Sequence, residues 1–200
     1  MKGTENEMKK IILILLAMSI LLYGVAALAE NRSKLGNLGE PKEETESEEA
    51  SAELNWADME AMIDLVDLDG GFYRYPGLDF RVWIPGTLQQ TQITEEQVDR
   101  SWIDFFTDES EDCAIVIQLD YLGMPLEQLK ATAESEYSGV SLLKINGRDA
   151  LVYFQNDDAM SVVFPAEDGY FVMLTYGGIT DQDFMAAAAI SMASLQADEA

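Results

Sequence analysis

Histidine is absent from all 200 residues, and cysteine occurs once, at Cys113. Without histidine there is no Ser-His or Cys-His nucleophile pair, no imidazole general base and no imidazole ligand for zinc or copper. A single cysteine leaves no intrachain disulfide, so the fold must stand on its apolar core; an intermolecular disulfide stays open. Cys113 begins the apolar run Cys113-Ala114-Ile115-Val116-Ile117, which reads as a buried, inert thiol. Positive charge is also scarce: 12 Lys and Arg face 37 Asp and Glu, a formal net charge of −25. That surface repels the phosphates of nucleic acid and of anionic membranes. Cations and basic partners remain, beside the plain alternative that the charge serves solubility.

Long apolar runs are missing except at the start. Lys9 and Lys10 precede Ile11-Ile12-Leu13-Ile14-Leu15-Leu16, and Gly24 precedes Ala27-Leu28-Ala29. A basic region, an apolar stretch and a small-x-small site predict a secretory signal peptide over residues 1–29, cleaved after Ala29 with Ala27 and Ala29 in the peptidase pockets. Met8 is an alternative start, because Glu5 and Glu7 interrupt the basic leader. The alternative is an uncleaved signal anchor: the uncharged stretch Ile11 to Ala29 is close to the ~20 residues that a bilayer needs. In either case the chain after it is delivered outside, secreted or held at the cell membrane. No cysteine near the site offers a lipid attachment, and there is no twin-arginine pair.

Residues 30–54 carry the run Glu40-Pro41-Lys42-Glu43-Glu44-Thr45-Glu46-Ser47-Glu48-Glu49 with almost nothing apolar. Such a segment reads as a self-repelling, disordered acidic linker, a spacer that suits an anchored chain. Residues 55–200 read as one globular domain. Asn55 is placed to cap a helix carrying Trp56, Met59, Met62, Ile63 and Val66. Strands follow around Pro76-Gly77, over Phe72–Tyr75 and Asp79–Ile84. Thr94 and Gln97 have the spacing of a capping box.

Ser101–Thr107 and Cys113–Asp120 read as strands joined by the polar turn Asp108–Asp112. A helix runs from Pro125 to about Tyr137. Strands then span Val140–Ile145, Arg148–Gln155, Met160–Phe164 and Tyr170–Tyr176. Asn146-Gly147 is a type I′ turn signal, since both central residues need positive φ. A last helix covers about Thr180–Gln196, with Phe184, Ala188, Met192 and Leu195 on its inner side. Consecutive hairpins with helices between and after them predict an α+β fold, an antiparallel sheet flanked by helices.

The order of these elements, with Leu78-Asp79-Phe80-Arg81-Val82-Trp83-Ile84-Pro85, Ile145-Asn146-Gly147-Arg148-Asp149-Ala150, Gly169-Tyr170-Phe171-Val172-Met173-Leu174-Thr175 and the terminal Ser194-Leu195-Gln196, resembles the PsbP-like fold. That fold is shared by the photosystem protein PsbP, the Ran-binding Mog proteins and many exported bacterial domains. The resemblance covers about Gly71 to Gln196. It implies a non-enzymatic domain used in binding or assembly, and it carries no site residue over to this chain.

Three chemistries are tested by spacing. Ser141-Leu142-Leu143-Lys144 has the S-x-x-K form, but a strand puts positions three apart on opposite faces, so lysine cannot serve the serine. Asp67-Leu68-Asp69-Gly70 resembles part of a calcium loop, yet aligning Gly70 with the invariant glycine places Leu65 and Pro76 at the end ligands, which excludes an EF-hand. Asp67 and Asp69, or the cluster Asp108, Glu109, Glu111 and Asp112, are left as candidates for weak extracellular calcium binding, against the plain reading of exposed acidic turns. Carboxylate pairs can run a glycosidase without histidine, though no pair stands out.

Asp79, Arg81 and Trp83 share one strand face. Trp83 with Tyr73 and Tyr75 either lines a shallow groove for a peptide or glycan or packs beneath a helix, and strand aromatics favour packing. The leading expectation is an exported module without catalysis or cofactor, binding a protein or cell-surface partner and no nucleic acid, meeting a membrane only through an uncleaved leader. The alternatives are a carboxylate-based hydrolase of cell-wall or dietary glycans and a calcium-binding surface module.

Overall fold

The computed structural model describes residues 53–66 and 68–196. The expected leader, the acidic linker up to residue 52 and Asp67 lie outside the described residues. Within the expected linker, Glu53–Leu54 forms strand β1, pairing in parallel with Lys144 and Ile145. Helix α1 follows at Trp56–Val66.

Strands β2 (Gly70–Tyr75) and β3 (Phe80–Pro85) form a separate two-stranded ribbon. A short 3₁₀ turn at Pro76–Leu78 joins them, ending on Asp79 at φ 49°. Strand β4 is Gln89–Gln90 and helix α2 is Glu95–Asp99. The capping box is made: Thr94 Oγ1 accepts from the Gln97 N–H, and Gln97 Oε1 accepts from the Thr94 N–H. Strand β5 (Trp102–Thr107), β6 (Ala114–Tyr121), helix α3 (Leu126–Glu136), β7 (Ser138–Ile145), β8 (Arg148–Asn156), β9 (Ala159–Pro165), β10 (Tyr170–Gly177) and helix α4 (Gln182–Ala193) complete the domain.

The main sheet has eight strands in the order β1-β7-β8-β9-β10-β6-β5-β4. All its pairings are antiparallel except β1 with β7. The fold is therefore α+β, as the run of hairpin signals predicts. Ile145 pairs with Arg148 across a two-residue turn, and Asn146 and Gly147 have φ 49° and 77°. That is the type I′ geometry whose twist matches the flanking strands.

Side-chain alternation gives the sheet two faces. Ile115, Ile117, Val152, Val162, Phe164 and Leu174 enter the larger core, together with residues of β3, α1 and α4. Phe80 meets Phe164 edge-on at 5.4 Å, and α4 packs against β3 and α1. The last segment docks back on β3, where Arg81 and Gln196 exchange backbone hydrogen bonds of 3.0 and 3.2 Å. The opposite face holds a smaller cluster beneath α3, with Leu151, Val163 and Phe171 against Leu126 and Ala133.

Helix α4 departs from the expected one-sided pattern. Phe184 and every residue from Ala186 to Ala193 are buried. The helix is enclosed around most of its girth by β3, α1 and the sheet, so small alanines replace an amphipathic stripe.

Candidate functional site

Three concavities stand out among the described residues: a polar pocket, an apolar one of about 230 Å³ beside it with Leu68, Leu88, Cys113 and Phe184 in its lining, and an apolar groove elsewhere. The polar pocket, of about 350 Å³, lies where the β5–β6 loop, the β8–β9 turn and the segment before α4 converge; Asp108, Asp112, Cys113, Asp158, Thr180 and Asp181 line it. Register brings them together, since Gly177 pairs with both Ala114 and Ala159. Gly178, at φ 88°, allows the close approach: a Cβ there would overlap Asp112 O and Cys113. The sequence reading singled out Asp108 and Asp112 and missed Asp158 and Asp181. Asn156-Asp157-Asp158 was legible only as a turn.

Three of these carboxylates, Asp108, Asp158 and Asp181, are engaged in holding the local structure. Asp108 accepts from Ser110 Oγ at 2.7 Å and from the Cys113 N–H at 3.1 Å, and these bonds hold its carboxyl below the usual range. Asp158 accepts from the Thr180 hydroxyl and its N–H, which lowers it likewise. Asp181 caps α4 by accepting from the Phe184 N–H at 2.8 Å. A general acid needs a raised pKa to carry its proton at neutral pH, and Asp108 and Asp158 are shifted the other way. Cys113 is half-buried; burial first, and then the charges of Asp108, Asp181, Asp112 and Asp158, push its thiol up to about 11. It stays protonated at neutral pH, though it lines the pocket and is not fully buried as its apolar run predicts.

Among the described residues, no group of three or more Cys, Asp or Glu side chains is placed to hold a metal ion. Glu109 and Glu111 are exposed on the outer side of the loop, away from the pocket lining. Asp69 is exposed in the loop before β2, where its carbonyl accepts the Gly86 N–H at 2.7 Å.

The aromatic set Tyr73, Tyr75 and Trp83 is placed by the β2–β3 ribbon. Trp83 is 4% exposed and sits in the main core. Tyr73 meets Phe106 edge-on at 4.6 Å, and Tyr75 stacks on Phe80 at 4.5 Å. The Tyr75 hydroxyl donates to buried Asp104 Oδ2 at 2.6 Å, and Gln90 Nε2 donates to the same carboxylate. Packing, the favoured sequence reading, describes these rings. Asp79 leaves the strand through its left-handed backbone and meets Arg148 at 3.3 Å.

The apolar groove lies on the other face, between α3 and the sheet. It has a volume of about 220 Å³, and Leu129, Tyr137, Tyr153, Phe171 and Met173 form much of its lining, with Asp120 and Glu136 also there. Tyr137 stacks on Tyr153 at 4.7 Å, and the Tyr153 hydroxyl donates to Met173 Sδ at 3.4 Å. Burial pushes the Tyr153 phenol up.

From the groove the face continues in register: Met173 pairs with Gln118, which pairs with Trp102. In the neighbouring row Thr175 pairs with Val116, which pairs with Phe105. Trp102, Phe105, Val116, Met173 and Thr175 are all half-exposed, and the Trp102 and Phe105 rings lie 5.3 Å apart. This face went unread in the sequence. Alternation in β8 and β10 marks its residues, but only the strand order shows which of them adjoin.

No family model matches the chain, and no curated protein matches it. Among solved structures, the solution structure of cyanobacterial PsbP (CyanoP) from Synechocystis sp. PCC 6803 is similar, at 9% identity and a TM-score of 0.48, over 64% of this chain and 92% of that one. The likeness is to a PsbP structure, the fold that the sequence pattern resembles; it carries no residue of that protein's sites to this chain.

Proposed function

We propose that this is an exported, non-catalytic binding module that engages a protein partner outside the cell through the half-open sheet face beneath α3. One observation carries the reading: Leu129, Phe171 and Met173 line an open apolar groove, and beyond Gln118 the same sheet face carries half-exposed Val116, Trp102 and Phe105. Apolar surface left open and contiguous is the usual mark of a binding face. The leader over residues 1–29 supports delivery outside, either free or tethered through that segment.

The test places a photoreactive phenylalanine at Thr132, on the α3 side of the groove, or at Glu95 on α2, in the chain expressed in its own host. A discrete protein adduct from position 132, lost when Leu129→Glu charges the groove and absent from position 95, is the expected result. Equal labelling from both positions overturns the reading. So does turnover of a cell-wall or dietary glycan that a single Asp or Glu substitution abolishes.

A further inference from the structure

We infer that the occupant of the α3 groove and its adjoining face is a cationic amphipathic polypeptide segment; this rests on the binding reading above and names its partner class. Asp120 and Glu136 are the charged residues that line the groove, and no cation lines it. Lys130, the basic residue of α3, pairs with Glu134 at 3.6 Å. The floor is apolar, so the site asks for an aliphatic side chain flanked by positive charge.

Anionic occupants of this face meet repulsion. A second copy brings a net charge of −25 against −25. The chain's own run Glu43 to Glu49 is acidic as well. Nucleic acid and anionic lipid are repelled for the same reason.

Dimensions favour a segment of polypeptide over a small molecule. A volume of about 220 Å³ is below the ~300–1,000 Å³ of a typical small-molecule pocket, yet it takes a leucine-sized anchor. Met173 and Trp102 are two strands apart in one register row, about 10 Å at the usual strand spacing. Seven residues of helix rise about 10.5 Å. Apolar residues at i and i+7 of an amphipathic helix therefore reach the groove and the Trp102–Phe105 pair together, with an i+3 or i+4 residue over Gln118 and Val116 of the strand between them.

The probe is a synthetic Leu/Lys amphipathic peptide of about 14 residues, two heptads, titrated against the full chain carrying ¹³C-methyl methionine. Comparison peptides replace Lys by Glu, or Leu by Ser. Met173 is the reporter, and buried Met160 in the opposite core is the control. The expected result is a saturable Met173 shift with the Leu/Lys peptide alone. Affinity should fall about fivefold or more in Asp120→Asn/Glu136→Gln and stay within about twofold in Glu109→Gln/Glu111→Gln, as expected for rim charges against remote ones.

Equal loss in both double variants, or equal binding of the Ser/Lys peptide, reduces the effect to unspecific charge and overturns the proposal. A Met173 shift with the Leu/Glu peptide keeps a binding face but refutes the cationic occupant. A Met173 shift on dilution assigns the face to a second copy, and one on deletion of residues 30–52 assigns it to the chain's own segment; either overturns the proposal. No Met173 response to any peptide, with no adduct from position 132, removes the binding reading itself.

Discussion

Asn146 accepts the Trp56 backbone N–H on Oδ1 at 2.6 Å, joining the β7–β8 turn to the first residue of α1, 90 positions away. Its Nδ2 donates to the carbonyls of Ala193 and Leu195 at 2.7 and 2.8 Å. One turn residue therefore caps the start of one helix and the end of another. Its own N–H donates to Leu54 O at 2.8 Å, which anchors β1. The helix cap expected from the neighbouring Asn55 is thus reached from across the fold.

Asn146→Ala should destabilise the domain by about 3 kcal/mol, since three backbone groups lose partners at ~1–3 kcal/mol each when buried and water serves some of them. Asn146→Gly relieves the positive φ and should recover about 1 kcal/mol of that loss. Asn146→Asp should be at least as damaging as alanine at neutral pH, because a carboxylate would face two carbonyls that need donors. Urea unfolding of the three variants checks the order; an alanine variant within about 0.5 kcal/mol of wild type would show that the side chain joins nothing of consequence.

The Tyr75–Asp104 bond makes the fold sensitive to alkali. Burial first, and then the hydrogen bond and charge of Asp104, push the Tyr75 phenol well above its ordinary range; burial raises Tyr176 in the same direction. Groups with raised folded pKa values stabilise fully below their unfolded pKa, about 10 for tyrosine, and lose that contribution as pH rises beyond it. Stability should hold up to about pH 10 and then fall. Phenolate absorbance of Tyr75 and Tyr176 should appear only with unfolding. Tyr75→Phe should weaken the alkaline slope and cost about 1.5–3 kcal/mol at neutral pH, the range for a bond to a charged acceptor. A smooth titration of all eight tyrosines near pH 10 in the folded state would refute this.

Local backbone chemistry was the legible part of this chain. Asn146-Gly147 demanded positive φ and Thr94 to Gln97 had a cap's spacing, so both could be read from a few residues. Strand β1 could not: Glu53 and Leu54 follow an acidic stretch, and their parallel partners lie some 90 positions later. Helix α4 was located by Phe184, Ala188, Met192 and Leu195 on one side, yet the alanines among them do not report that β3, α1 and the sheet enclose it. The same limit applied to the sites. Asp108 and Asp112 were visible as a cluster, whereas Asp158 and Asp181 joined them only through the β6–β10–β9 register. Met173, Gln118 and Trp102 form a row for the same reason.

Cys113 should react slowly. A thiol pushed up to about 11 from 9.0 holds about a hundredfold less thiolate at neutral pH, and the higher basicity returns about tenfold of that in nucleophilicity. Alkylation by neutral iodoacetamide at pH 8 should therefore run about tenfold slower than for an ordinary thiol. Burial is the larger cause, so Asp108→Asn/Asp181→Asn, in which asparagine still caps α4, should accelerate it only about two- to threefold. Reaction at the rate of a free thiol would mean that the pocket is open and the charges do not act.

Calcium should leave the domain's melting point where it is. A calcium ion takes six to eight oxygens, and the Asp108, Asp158 and Asp181 carboxylates of the polar pocket are already accepting from Ser110, Cys113, Thr180 and Phe184. These bonds hold two loops and a helix cap and fix where the carboxylates stand, so drawing them together around an ion would strain those bonds and offset the ion's gain. At about 5 mM calcium, above the ~10⁻⁴–10⁻³ M dissociation constants of extracellular modules, we expect a shift in Tm of less than about 1 °C, against the several degrees that tight linkage produces. Magnesium at equal ionic strength serves as the control for screening of the net charge of −25. A calcium-specific rise of several degrees that vanishes in Asp158→Asn would instead make the polar pocket a cation site.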